Sequence, residues 1–592
     1  MADDGDHGVP PVGGMIARWR GLSGRSRVLP ALFLMASFAS LRCARPEPPA
    51  DLVLANGRVY TVETGHPWAE AIAVRGDRIL RVGKSAEMRA LTGPATRVID
   101  LKGRLVLPGL IDGHTHFLDG SIGLGQVDLN GATTLGMIQD RVRRYAAGHP
   151  EEPWILGFGW LYSTFQGGMP DRAQLDAVES KRPVFLYSYD GHSAWANSAA
   201  LKAAGVDRTT PQPPASQGAI VVDRRTGAPT GAFKEGASGL IERVAPKPTR
   251  EKKLQALEQG LRLAASLGLT GVENCSGGAE EVDLYDEMER TGRLTLRTIT
   301  AVPMPETTAS LTGASVAKIV ALRDAHQGHM VRAGTVKFFA DGVIESNTAA
   351  MLEPYTNNPA TRGVPHYDAR QLDAMVNKVD EAGLQIYIHA IGDGAVRESL
   401  DALEKAMRAR PGQRRRNRLE HIETVAATDI PRFGSLGVIA SMQPYHAYPE
   451  PNLDTVWAAN VGPERLKRAF AWNSLQSAGA RLVFGSDWPV VTLDPMVGVR
   501  NAVLRQNTEG WPKEGWVPEQ RVTLEQAIAA YTINGAFASF EEDLKGSIKE
   551  GKLADLVVLS QDLFTIPPAE IHKTRALLTY LGGREVFRDP SF

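Results

Sequence analysis

The chain has 592 residues, 43% of them hydrophobic and 22% charged, an ordinary globular composition. A formal net charge of -1 removes the electrostatic reason to expect nucleic acid as a partner. The length allows roughly two to four domains, or one large barrel with additions.

Residues 1–49 read as an export leader and linker. Arg18, Arg20, Arg25 and Arg27 precede a 14-residue apolar run, Val28–Leu41, and a Pro-rich exit follows. That order suits an export signal, and the run is shorter than the roughly 20 residues of a membrane span. Ser37 and Ala39 fit a small-x-small cleavage rule. Cys43 offers a lipid attachment point instead, although Arg42 departs from the small residues that a lipobox wants. The expectation is export, to the periplasm or to a lipid anchor in a bacterial envelope, with Cys43 the one link to a membrane. Cys275 is the only other cysteine, so the folded part has no internal disulfide.

Residues 50–109 alternate apolar and polar positions around turns at Asn56-Gly57 and Gly76-Asp77, which predicts a small antiparallel sheet. A similar pattern returns over 541–592, in "ADLVVLSQD" and "LLTYLGGREVF". The two ends are expected to meet in one composite β-sandwich. Between them, 110–540 alternates short apolar runs with amphipathic stretches, the signature of a parallel α/β fold whose strand number favours a (β/α)8 barrel. Nine strand candidates are one too many for that barrel, so one belongs to an addition. The Gly-, Pro- and Trp-rich segment of about 120–245 is expected to form an insertion over the mouth. "RRRNR", Arg414 to Arg418, reads as a solvated loop before a strand.

Chemistry gathers where the predicted barrel strands end. His114 and His116 follow "LVLPGLID", His389 follows "LQIYI", His421 follows "NRLE", and Asp487 follows "RLVFGS". The C-terminal ends of barrel strands open on one face, so these side chains should converge. Residues i and i+2 of a strand point the same way, which lets His114 and His116 address one ion. Imidazoles plus a carboxylate suit zinc or a similar divalent metal. Lys337, in "GTVKFFADG", either pairs with an acid such as Asp341 or is carbamylated by CO2 to bridge two metals, since a desolvated lysine has a lowered pKa and a reactive neutral amine.

Together, "LVLPGLIDGHTH", "VKFFADG", "IHAIGDGAV", "LEHIE", "FGSDWPV" and "GSIKEGKLADLVVL" resemble the amidohydrolase superfamily. With "YDGHSAWANSAAL", "GAPTGAFKEGA" and "DGVIESNTAAMLEPY" they resemble amidohydrolase family 3, the branch that contains N-substituted formamide deformylases, over roughly residues 50–590. The resemblance implies one or two divalent ions at the barrel mouth, Zn2+ foremost. His114 and His116 would bind the more buried ion, His389 and His421 the other, and Lys337 would bridge as its carbamate. Asp487 would ligate the first ion and take a proton from the nucleophilic water. Glu235 is the alternative bridging ligand, because some superfamily members use glutamate there. Val343 and Asn347 stand where many members of the branch carry Ser and Arg, a change that bears on substrate anchoring.

The expected activity is hydrolysis of a non-peptide C–N bond in a small amide, formamide or cyclic imide. The alternatives are a deaminase or lactonase/esterase on the same scaffold, and a non-catalytic exported binding protein. His192 is a candidate oxyanion donor. Trp160, Trp195, Tyr445 and Trp488, with His446, are candidates for an aromatic substrate pocket, and Glu345 and Gln443 are weaker ones. Cys275 has no evident base and reads as a small buried residue. No feature fixes an oligomeric state.

Overall fold

A computed structural model describes residues 48–592 except 215–216, 306–309 and 451. The leader, the cleavage positions and Cys43 lie outside the described residues. Among the described residues, no helix is long and apolar enough to cross a membrane.

Eight parallel strands form one sheet in strict sequence order. They are β1 (Leu110–Thr115), β2 (Leu269–Asn274), β3 (Arg297–Pro303), β4 (Val331–Phe339), β5 (Gln385–Ala390), β6 (Arg418–His421), β7 (Ile439–Met442) and β8 (Leu482–Phe484). Most of their residues are buried, as strands covered on both faces must be. β8 returns to β1 at the mouth: Asp487 N–H donates to His114 O at 2.7 Å, and His116 N–H donates to Trp488 O at 2.8 Å. Gly485 makes that approach possible, because a Cβ there would lie 2.4 Å from the backbone nitrogen of His114. The barrel is therefore closed, with its last rungs among the predicted site residues.

The two chain ends build a β-sandwich of a four-stranded and a six-stranded sheet. Strand Leu105–Pro108 pairs antiparallel with Leu556–Leu559, which ties the N-terminal part to the C-terminal one. Leu54, Ile72, Val106, Leu556, Val558 and Leu578 fill the space between. Strand Leu105–Pro108 then runs into β1 through Gly109, where a Cβ would lie 2.3 Å from Thr270 Oγ1. Between β1 and β2 the chain adds a mixed six-stranded sheet from Val127 to Lys234, with its own core around Ile138, Trp160, Leu186 and Trp195. The surplus ninth strand candidate, "RPVFLYSYDGH", belongs to this sheet as Val184–Ser188.

The run "RRRNR" does form a loop that leads into β6 at Arg418, but its reading as solvated is corrected. Arg414 is exposed, but Arg416 and Arg418 are buried, and the Arg415 side chain is only 9% exposed. Each of these three finds a carboxylate: Arg415 grips Asp380, Arg416 pairs with Glu542 and stacks on Phe537, and Arg418 enters the barrel between Glu273 and Glu420. A guanidinium forks onto a carboxylate through two parallel bonds, and that converts a basic run into three anchors. Asp380 also accepts from Arg410 at 2.8 Å. Burial would raise its carboxyl, but the two guanidinium groups outweigh that and hold it below the ordinary value. A depressed folded pKa means stabilisation present above the unfolded value and lost on acidification, progressively below about pH 5. The Tm difference between wild type and Asp380→Asn should be largest at neutral pH and shrink through that range. A difference independent of pH would show that Asp380 acts by packing alone.

Candidate metal centre

At the mouth, four histidines, a lysine and an aspartate meet at the ends of β1, β4, β5, β6 and β8. Asp487 Oδ1 lies 3.2 Å from His116 Nε2 and 3.4 Å from His114 Nε2. Lys337 Nζ is 3.4 Å from His114 Nε2. The His421 ring is 4.8 Å from that of His114 and 4.6 Å from that of His389, centre to centre. His421 and Asp487 hold positive φ values of 74° and 65°, a left-handed conformation that costs a non-glycine residue about 1–3 kcal/mol and clusters at functional sites.

The outer hydrogen bonds decide which nitrogen of each ring faces inward. His114 Nδ1 meets Glu420 at 2.6 Å, His421 Nδ1 meets Gln443 Oε1 at 2.8 Å, and His389 Nε2 meets Gly342 O at 3.1 Å. That leaves Nε2 of His114 and His421, and Nδ1 of His389, as the nitrogens available to an ion, an arrangement common around ligating imidazoles. Burial pushes all three rings well below the ordinary histidine pKa, with Lys337 reinforcing it at His114 and His192 at His389. They stand as neutral imidazoles, the form that binds metal.

These groups fit a divalent ion. Asp487 Oδ1 is buried and accepts no hydrogen bond, although two imidazole nitrogens lie within 3.4 Å of it. A carboxylate oxygen left without a proton donor in such a place costs free energy unless a cation completes it. His114, His116 and Asp487 offer three ligand atoms close together, and His421, His446 and Asp487 offer a second such group.

The two candidate bridges are placed differently. Lys337 is fully buried and lines the cavity. It does not pair with Asp341, whose carboxylate instead accepts from the backbone of Ala350, Ile391 and Gly392 and whose pKa burial pushes up to about 8. Glu235 has both oxygens engaged: Oε1 accepts from Thr348 at 2.6 Å and Oε2 meets His192 Nδ1 at 2.8 Å. It is not among the residues that line the cavity. His192 does line it; burial disfavours its charged form, but Glu235 and then Asp190 outweigh this and raise its pKa to about 9.

The sequence pattern of the Amidohydrolase family matches residues 97–587. The chain belongs to the amidohydrolase family. This amidohydrolase is 33% identical over 549 residues to Protein LONG AFTER FAR-RED 3 of Arabidopsis thaliana, covering 91% of this chain and 92% of that one. It is 28% identical over 540 residues to N-substituted formamide deformylase of Arthrobacter pascens, covering 90% and 97%. A crystal structure of an uncharacterized metal-dependent hydrolase from Pyrococcus furiosus superposes with a TM-score of 0.66 at 28% identity, over 86% of this chain and 99% of that one.

The aromatic pocket expected for the amidohydrolase is corrected. Trp160, Trp195, Tyr445 and Trp488 do not line the cavity. Trp160 and Trp195 are fully buried in the insertion, their indole N–H groups satisfied by Leu186 O and Asp171 O. Tyr445 stacks on Tyr448, and Trp488 packs against Phe117. The apolar wall comes instead from Phe339, Val343, Ile391, Trp457 and Val490, and the polar wall from Tyr189, Asp190, Glu345, Glu423 and His446. Tyr189 donates to Glu345, and Trp457 Nε1 donates to Glu423 at 2.6 Å. Glu423 escaped the sequence reading, yet it stands two positions from a histidine already singled out, His421. Cys275 is buried 3.1 Å from Arg418, and burial raises its thiol pKa, which fits a structural residue.

Proposed function

We propose that this amidohydrolase is a metal-dependent enzyme that hydrolyses a non-peptide C–N bond in a small amide, formamide or cyclic imide. The observation that carries the reading is the buried, unsatisfied Oδ1 of Asp487 facing Nε2 of both His114 and His116. His114, His116 and Asp487 would hold one divalent ion, zinc foremost, and His389 and His421 a second. Lys337 is the better bridge, since its amine is buried in the cavity while both oxygens of Glu235 are spoken for. Addition of its amine to CO2 would form an N–C bond and release a proton, leaving an anionic carbamate.

Bound ions supply Lewis-acid polarisation of a carbonyl and a water of lowered pKa. Asp487 accepts the proton of the attacking water and returns it to the leaving nitrogen as the C–N bond breaks. His192, its Nδ1 held by Glu235, would donate from Nε2 toward the developing oxyanion. The Arthrobacter pascens relative, an N-substituted formamide deformylase, makes N-substituted formamides the first substrates to try. The basic and apolar segments before Cys43 support an envelope location, which N-terminal sequencing of the mature protein tests.

Metal content decides the centre. Elemental analysis of purified wild type should give two divalent ions per chain, falling toward one in Lys337→Ala and unchanged in Glu235→Ala. One ion in wild type, unaffected by Lys337→Ala, would sink the carbamate bridge and turn the search to mononuclear deamination. Absence of both metal and formamide turnover would sink the hydrolase reading itself.

A further inference from the structure

We infer that Glu235 is a positioning residue, which together with Thr348 fixes the ring of His192 so that its Nε2 faces the cavity; this rests on the hydrolase reading above. The placement begins in the backbone. Strands Ser193–Ala196 and Pro229–Lys234 pair antiparallel with Ser193 opposite Lys234. His192 and Glu235 form the next rung, where Glu235 N–H donates to His192 O at 2.8 Å. Residues opposite one another on an antiparallel pair share a face of the sheet, so the carboxylate and the imidazole are brought side by side by register alone.

The side chains then lock. His192 Nδ1 meets Glu235 Oε2 at 2.8 Å, and Thr348 Oγ1 donates to Glu235 Oε1 at 2.6 Å. Asp190 Oδ1 accepts from the backbone N–H of His192 at 3.0 Å and fixes the other end of the residue. The loop after β4 closes over the carboxylate: a Cβ on Gly342 would lie 2.4 Å from Glu235 Oε1. Glu235 itself has a φ of 50°, a strained value for a residue with a side chain, and one that the surrounding contacts must impose. With Nδ1 committed to Glu235, only Nε2 of His192 remains to reach a bound molecule. The same commitment argues against Glu235 as a bridging ligand.

Two measurements test this. In histidine-labelled wild type, a low-field Nδ1 proton bonded to a carboxylate should disappear in both His192→Gln and Glu235→Ala, and persist at a shifted position in Glu235→Gln, whose side-chain carbonyl still accepts. The low-field ring protons of His114, whose Nδ1 faces Glu420, and of His326, whose Nε2 faces Asp286, should remain in all variants and serve as internal controls. On a formamide that wild type hydrolyses, Glu235→Ala should lower kcat by about 10–100-fold, the usual scale for loss of an orienting partner, with KM changed less than about threefold. Glu235→Gln should recover most of that loss. The His192→Gln/Glu235→Ala pair should be no slower than His192→Gln, because residues acting as one unit are not additive.

A low-field proton unaffected by Glu235→Ala, additive kinetic losses, or loss of one metal ion in Glu235→Ala would each overturn the assignment. Failure of the hydrolase reading looks different: wild type would lack metal and turnover, and the proton signal would still decide whether Glu235 positions His192.

Discussion

Asp487→Asn is expected to lower kcat on a formamide substrate by up to about 10⁴-fold, the upper range for loss of a positioned proton acceptor. The amide is nearly isosteric, and the backbone bond from residue 487 to His114 O does not involve the side chain, so the fold should persist. What disappears is the negative charge beside His114 and His116 and the oxygen that accepts the proton. On the metal reading proposed above, elemental analysis should show the ion assigned to those histidines bound more weakly. Turnover within tenfold of wild type, with metal retained, would remove Asp487 from the proton pathway and move that role to another carboxylate of the cavity wall.

The second large effect lies below the mouth. Arg418 is completely buried, donates to Glu273 and Glu420, and reaches Gly113 O at 2.7 Å with its guanidinium 3.6 Å from the Tyr387 ring centre. Arg418→Met would leave two buried carboxylates without their cation. Breaking a buried pair from one side costs about 3–5 kcal/mol, since the orphaned charge has no solvent to replace its partner. The loss should appear as a lower urea midpoint, and Glu273→Gln added to Arg418→Met should restore part of it by removing one stranded charge. Glu420 also holds His114 Nδ1, so metal affinity should fall by about 10–100-fold in Arg418→Met. A midpoint shift worth less than about 1 kcal/mol would mean that the two carboxylates take up protons in the variant at little cost.

The ligand candidates were legible because a barrel converts sequence position into place. A polar residue directly after an apolar strand has one destination, so His114, His389, His421 and Asp487 could be collected without knowing any loop. The β-sandwich was legible for a similar reason, since alternation and turn dipeptides recur at both ends. The substrate wall was not. Trp160 and Trp195 look like pocket residues in a Gly-rich segment, yet they serve as the core of the inserted sheet, whose existence depends on pairings between distant strands. Trp457 and Tyr189, which do face the cavity, carry no mark that separates them from any buried aromatic. The arginine run is a loop before a strand, as expected, but it failed as a solvated one because charge density in sequence says nothing of where carboxylates wait in space; Glu273 and Asp380 come from other strands and helices.

The seam between β1 and β8 has a consequence for how the protein comes into being. His114 belongs to the first strand of the barrel and Asp487 to the turn after the last, and the sandwich likewise needs Val106 against Val558. A ribosome-bound chain that stops anywhere before Asp487 carries ligands but no pocket, because every contact that converges on Oδ1 spans almost the whole barrel. Contacts of such long range form late. On the metal reading proposed above, the centre would be complete only once the finished chain closes on itself, and metal supply would become a matter for the compartment in which that happens.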